Sequence, residues 1–452
     1  MHLRLLAGAT ALSLLAVTAH AQETVFPATL DGMVVLPAAS FVPAPADAPA
    51  DARLSGKFTG PARTMQAGTM PGDTGALHGK RPTGLSVPFD GQPLQGFSGY
   101  AMERGPDGSF WMLTDNGFGT KANSPDALLM VHRMQPDFAT GQMKILETVF
   151  LTDPDMKVPF RIAYEGEGSR YLTGADFDLE SIQIVNGEIW IGDEFGPYLI
   201  RATLDGKVLA VHPTMMGETT LKGPDTPGIS ATSVTGKDWV VQRSGGYEGM
   251  ALQPGTGLLW GLLEKPLLGE DGNPEGSFLR ALAFDPAKGE WTGQSFKFAL
   301  AEGATAIGDF NFIDDTRAMI IERDNGEGDP SLKCAGDPAP DCFPLPAMVK
   351  RIVLIDTASV DADGFVRRIG HIDLMNVADP KGLNKQETMA ARDLAGTLTF
   401  PFFTIEDVVR VDDTHILVGN DNNLPYSSGR KLDAAADSEA ILLSVPEFLA
   451  AK

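Results

Sequence analysis

Five stretches of this sequence repeat one plan, and that repetition limits the possible folds more than any other feature of the chain. They are FSGYAMERGPDGSFWMLTDNG (97–117), LESIQIVNGEIWIGDEFG (179–196), YEGMALQPGTGLLWGLLEK (247–265), IGDFNFIDDTRAMIIERDN (307–325) and IEDVVRVDDTHILVGNDNN (405–423). Each runs from a polar residue into a strand, a tight turn, a second strand and an acidic cluster. A third strand often follows, as in LLMVHRMQPDF and YLIRATLDGKV, whereas helical periodicity is almost absent. Many short alternating strands with Asp-Gly and Asn-Gly turns make an all-β protein. Hairpins repeated around the chain describe sheets arranged radially, a β-propeller. Counted from Ser98, Glu180, Glu248, Gly308 and Glu406, the repeats start 82, 68, 60 and 98 residues apart. The two long intervals leave room for a blade whose signature has decayed, so six blades are expected, with seven the alternative. EAILLSVPEF near the end lacks a hairpin of its own, as though it closed a ring begun elsewhere in the chain.

The N-terminus, MHLRLLAGATALSLLAVTAHAQ, places Arg4 before an apolar run and small residues at 19 and 21. That is the pattern of a secretory signal peptide over 1–21, cut after Ala21. The run falls short of the roughly 18 apolar residues of a membrane span, so a periplasmic or secreted protein is expected, without a span and as a monomer. Residues 22–75, rich in Ala, Pro and Gly, read as a partly ordered lead-in, and 76–452 as the propeller domain. The two cysteines, Cys334 and Cys342, lie in a Pro-rich loop and predict a disulfide in an exported chain. A net charge of -23 argues against nucleic acid, whose phosphates require a basic surface.

The acids fall in columns. Seven residues after the turn positions Gly108, Gly187, Gly257, Asp315 and Asp413 stand Asp115, Glu194, Glu264, Glu322 and Asn420. Carboxylates are normally depleted in strands. A second column, Ser98, Glu180, Glu248, Gly308 and Glu406, precedes each first strand, with Asp309 beside the gap at Gly308. The start of one antiparallel strand and the end of its partner share an edge, so both columns should meet at one mouth of the central channel. Asp115, Glu180, Asp193, Glu194, Glu248, Glu264, Glu322, Glu406 and Asp421 are therefore the candidate metal ligands. Crowded oxygen donors without a His or Cys cluster favour Ca²⁺. The bland alternative is that the acids cap blade edges and pair with Arg104, Arg201, Lys265 and Arg323. Trp111, Trp190 and Trp260, each three residues past its turn, are expected in the blade core.

With the repeats aligned, the chain resembles the bacterial "esterase-like activity of phytase" family of phytase-like propeller proteins, on the motifs GFSGYAM, DLESIQI, GDEFGPYL, GYEGMALQP and TIEDVVRVDD between about residues 84 and 450. The resemblance implies a hydrolase of phosphoric or other esters. Better understood propeller phytases, similar in architecture only, hold Ca²⁺ at one channel mouth. On that reading Glu194 and Glu264 are catalytic carboxylates, and Lys265 and Arg323 hold phosphate oxygens of a small phosphoester or ester. A second reading is a non-catalytic, Ca²⁺-stabilised propeller that binds a ligand in the cell envelope. A metal-free esterase is a third, but no Gly-x-Ser-x-Gly elbow is present, and the histidines His78, His132, His212, His371 and His415 are scattered singly.

Overall fold

A computed structural model describes residues 23–230, 232–384 and 395–452. The expected leader at 1–21 lies outside the described residues. Each of the five repeats forms the two inner strands of a four-stranded antiparallel sheet. The first blade is Phe97–Arg104, Phe110–Thr114, Met130–Asp137 and Gln142–Phe150. The second is Leu179–Val185, Glu188–Asp193, Tyr198–Thr203 and Val208–Pro213. The third is Tyr247–Leu252, Leu259–Leu263, Phe278–Asp285 and Glu290–Ala299. The fourth is Ala306–Phe312, Arg317–Arg323, Lys350–Val360 and Val366–Asp373.

The fifth blade takes Asp407–Arg410, His415–Gly419 and Ser438–Ser444 from the C-terminal end, and its outer strand, Thr29–Leu36, from the other end of the chain. The strand that lacked a repeat of its own thus closes the ring against a segment read as lead-in. Another part of that segment, Thr24–Phe26, adds to the edge of the fourth blade.

The innermost strands follow one another around the axis, and that of the fifth blade returns to that of the first. Among the described residues the ring therefore closes with five blades, which corrects the expected six. The described parts of the long intervals lie outside the four-stranded blades instead: 151–178 between the first two blades, and 324–349 and the described residues between 374 and 406 around the outer half of the fourth. The Cys334–Cys342 disulfide forms within the first of the latter two.

Blades packed face to face bury both sides of each sheet, so alternation in these strands separates two cores rather than core from solvent. Ile182, Ile184, Ile189 and Ile191 pack with Trp111 and Leu129 of the first blade, whereas Trp190 and Leu199 pack toward Tyr247 and Leu259 of the third. All three tryptophans of the column are buried. The turn between the second blade's inner strands holds Asn186 at φ 53° and Gly187 at φ 77°, the paired left-handed conformations that suit a two-residue hairpin.

Two amides close the axis. Gln183 donates to Met250 O at 2.8 Å and Asn311 Oδ1 at 2.8 Å, and accepts from Met102 N at 3.1 Å. Asn311 Nδ2 donates to Tyr100 O at 3.0 Å and Val408 O at 2.9 Å. Together they tie all five inner strands with satisfied buried polar groups. The mouth above them is a cup with a polar floor.

A chain beginning at Pro37 should lose the closing strand, with the buried Leu30, Val34 and Leu36. At roughly 1.5–3 kcal/mol per buried aliphatic side chain, its urea midpoint is expected to fall by the equivalent of about 5 kcal/mol.

Candidate metal centre

The register of each inner hairpin places the acids. Leu179 pairs with Asp193 and Ser181 with Gly192, so Glu180 is the extra residue of a bulge. Tyr247 pairs with Leu263 and Gly249 with Leu262, which bulges Glu248 in the same way. A bulge re-aims a side chain, and here it turns both glutamates to the mouth. Glu194 and Glu264 follow directly on the second strands. The first blade, pairing Phe97 with Thr114, puts Ser98 and Asp115 at the matching places. The fifth, pairing Asp407 with Gly419, puts Glu406 and Asp421 there.

The fourth blade departs from the expectation. Ile307 pairs with Glu322, so Gly308 and Arg323 take the mouth positions. Glu322, expected in the ring, points the other way and is held by Arg368, whose Nη2 lies 3.0 Å from its Oε2. The turns of the fourth and fifth hairpins shift the count by one residue, and in a strand a shift of one exchanges the faces. The same slip removes Asn420, whose Oδ1 accepts from Glu439 N at 2.7 Å, in favour of Asp421.

Asp193 is also no part of the cluster of free carboxylates. Its oxygens accept the backbone N–H groups of Asp178 at 2.9 Å and Gly196 at 2.7 Å, so it braces the turn that presents Glu194. Burial pushes its carboxyl up to about 7 against those two hydrogen bonds. Asp309 and Asp407 serve as latches between blades: Asp309 Oδ2 accepts from Val408 N at 2.8 Å, and Asp407 Oδ1 from Gly99 N at 2.8 Å. Arg104 and Arg201 do not reach the ring; Arg201 pairs with Glu188 and Arg104 lies over the Phe110 ring.

One candidate ligand escaped the sequence reading. Asp178 lies two residues before Glu180, the spacing that shares a face in extended chain, and that period was the available signal. Its oxygens accept from Asn116 N at 3.2 Å and Asn116 Nδ2 at 2.7 Å, and a carboxylate oxygen lies within 4.8 Å of those of Glu180 and Glu194.

Two trios of oxygens result, Asp178/Glu180/Glu194 and Glu194/Glu248/Glu264, each with its atoms within 4.8 Å of one another. Glu194 belongs to both. Glu406 and Asp421 complete the mouth, Glu406 accepting from Ser98 Oγ at 3.0 Å. These seven residues are only 3–8% exposed, and Asp115 is half-buried beside them.

Burial, reinforced by neighbouring negative charge, holds the Asp115, Glu180, Glu194 and Glu248 carboxyls well above the ordinary carboxylate range. Burial also raises Asp178, and with neighbouring charge it pushes Glu406 up to about 8 and Asp421 up to about 7. Arg323 Nη2 stands 3.3 Å from Glu264 Oε1 and 3.7 Å from oxygens of both Glu248 and Glu406. Lys265 Nζ is 3.1 Å from Glu264 Oε2 and also donates to Arg243 O and Ser244 O.

So many carboxylates cannot all be ionised at such spacing without protons or cations between them. Glu248 Oε1 is buried and accepts no hydrogen bond. An all-oxygen donor set with a free buried lone pair fits a hard divalent cation such as Ca²⁺, which takes roughly six to eight oxygens in loose geometry.

The model of a phytase-like family, described as "Esterase-like activity of phytase", matches residues 92–424. No curated protein matches the chain significantly. Among solved structures it is similar to a luciferin-regenerating enzyme (10% identity, TM-score 0.34, 83% of this chain and 91% of that one). It is similar also to a PQQ-bound aldose sugar dehydrogenase from Streptomyces coelicolor (12%, 0.34, 78% and 95%) and to regucalcin, a calcium-binding protein from Agrobacterium tumefaciens (12%, 0.31, 78% and 92%). These likenesses are too distant to bear on function.

The Asp193-Glu194 doublet should divide under mutation. Asp193→Asn sets an amide donor against backbone N–H groups and is expected to cost about 1–3 kcal/mol with or without metal. Glu194→Gln removes one charge from the crowd and should leave the chelated protein as stable as the parent or more so. Thermal melts in EGTA check both.

Proposed function

The chain belongs to this phytase-like family, and from that premise we propose that the acidic mouth is the active centre of a Ca²⁺-dependent hydrolase of phosphoric esters. The observation that carries the proposal is the pair of carboxylate trios sharing Glu194. Asp178 and Glu180 on one side of Glu194, and Glu248 and Glu264 on the other, are the residues that would hold the cation. Bound there, a divalent cation would supply Lewis-acid polarisation of a phosphoryl oxygen and a more acidic water.

The chain's own groups have separate tasks. Lys265, with a side chain 36% exposed, is the cation of the mouth that reaches solvent, and it meets a substrate phosphate oxygen as a charged donor. Arg323, 7% exposed and surrounded by Glu248, Glu264 and Glu406, balances charge within the cup rather than meeting substrate. A mouth carboxylate left free of the cation takes the proton of the attacking water. The new P–O bond forms from that water as the bond to the ester oxygen breaks and the alcohol leaves. The closed axis keeps water from entering through the floor. The Cys334–Cys342 bridge supports work in an oxidising compartment.

The test is a Ca²⁺ titration of chelated protein, following melting temperature and hydrolysis of p-nitrophenyl phosphate together, with p-nitrophenyl acetate as the carboxyl-ester arm. At a hundredfold excess over Kd the folded state should gain about 2.7 kcal/mol, and phosphoester turnover should rise in step. Lys265→Met should raise KM for the phosphoester several-fold and leave metal-induced stabilisation intact. Stabilisation without turnover would assign the mouth to binding; full turnover in EGTA would overturn the proposal.

A further inference from the structure

The five mouth positions at the ends of the second strands hold Asp115, Glu194, Glu264, Arg323 and Asp421, so the fourth blade alone places a cation where its neighbours place an acid. Its other mouth position is equally distinct. A side chain at Gly308 would put its Cβ 1.8 Å from Ile405 O, so the acid that stands at this place in the second, third and fifth blades has no room here. The fourth blade thus contributes only positive charge.

Arg323 is built in. Its Nη1 donates to Asn325 Oδ1 at 3.2 Å, and its guanidinium lies 5.7 Å from the centre of the Phe403 ring. Its Nη2 has carboxylates of the third and fifth blades around it at 3.3–3.7 Å. One positive centre among three carboxylates from two blades matches the Glu194/Glu248/Glu264 trio, which likewise draws its oxygens from two blades. Two buried atoms lack hydrogen-bond partners in this region, Arg323 Nε and Glu248 Oε1. The guanidinium thus neutralises its neighbours by charge without satisfying every lone pair, since Glu248 Oε1, 3.7 Å from its Nη2, accepts no hydrogen bond. A guanidinium keeps its proton under all ordinary conditions; unlike a bound metal, this charge cannot be chelated away.

We propose that Arg323 is a resident cation occupying the place of a third metal ion, which restricts the cup to two divalent cations sharing Glu194. The inference rests on the metal reading above and adds the number and position of the ions. Glu406, on this assignment, is served by Arg323 and not by metal.

Calorimetric titration of CaCl₂ into chelated protein, with melting temperature as a second readout, tests it. The parent should bind two Ca²⁺ per chain. Arg323→Gln should bind a third, melt lower than the parent in EGTA and recover more on adding Ca²⁺, whereas Arg323→Lys should still bind two. Folding of Arg323→Gln only in the presence of Ca²⁺ would support the same conclusion. An unchanged count and an affinity within threefold of the parent in Arg323→Gln would overturn it.

Where Arg323→Gln does not fold in either condition, Glu406→Gln decides. A retained count of two supports the assignment, and loss of one Ca²⁺ overturns it. A parent that binds no Ca²⁺ removes the metal reading beneath the inference, an outcome distinct from any difference among the variants.

Discussion

The arrangement depends on mutual repulsion among carboxylates held out of water at one end of the axis. Asp178, Glu180, Glu194, Glu248, Glu264, Glu406 and Asp421 are all buried there, with Arg323 and Lys265 as the cations seen among them. Burial raises the cost of every uncompensated charge, and neighbouring acids add to it. Such a cluster persists in a folded protein where protons or cations supply the missing positive charge. The sharing of Glu194 between two trios follows from the ring, because a residue at the end of one blade's hairpin reaches acids of its own blade and of the next.

The scaffold is stiff where the cluster needs it. Gln183 and Asn311 join all five inner strands through hydrogen bonds of 2.8–3.1 Å, and Asp309 and Asp407 latch neighbouring blades just below the mouth. Polar groups that would be costly alone become spacers that set blade separation once each finds its partner. Asp193 acts similarly within one blade, since its two backbone hydrogen bonds shape the turn on which Glu194 is displayed. Adjacent acids in the chain thus do opposite things: one is spent on architecture and the other is left free.

Much of this was legible in advance. The repeat with its turn glycines implied a propeller, the tryptophan column implied blade cores, and the cysteine pair implied the disulfide. Glu180, Glu194, Glu248, Glu264 and Glu406 were found by counting from the turns. The count failed where hairpin loops differ by one residue, which put Glu322 in the ring in place of Arg323. It also missed Asp178, which lies outside the hairpin. Blade number was misjudged because long intervals between repeats look alike whether they contain strands or loops, and because the closing strand comes from a segment with no periodicity of its own.

The linear order of residues by itself determined the local elements: strands from alternating apolar positions, turns from Asn-Gly and Asp-Gly, acids at strand ends. These depend on neighbours within a few residues, and sequence carries that information directly. Which acids converge at the mouth, which are spent on backbone hydrogen bonds, and how many blades close the ring were decided only by tertiary structure. Each depends on register between strands and on distances across the axis, between residues as remote as Ser98 and Glu406. A shift of one residue, invisible in composition and slight in spacing, turned an expected ligand outward to Arg368 and an arginine inward to the centre of the cup.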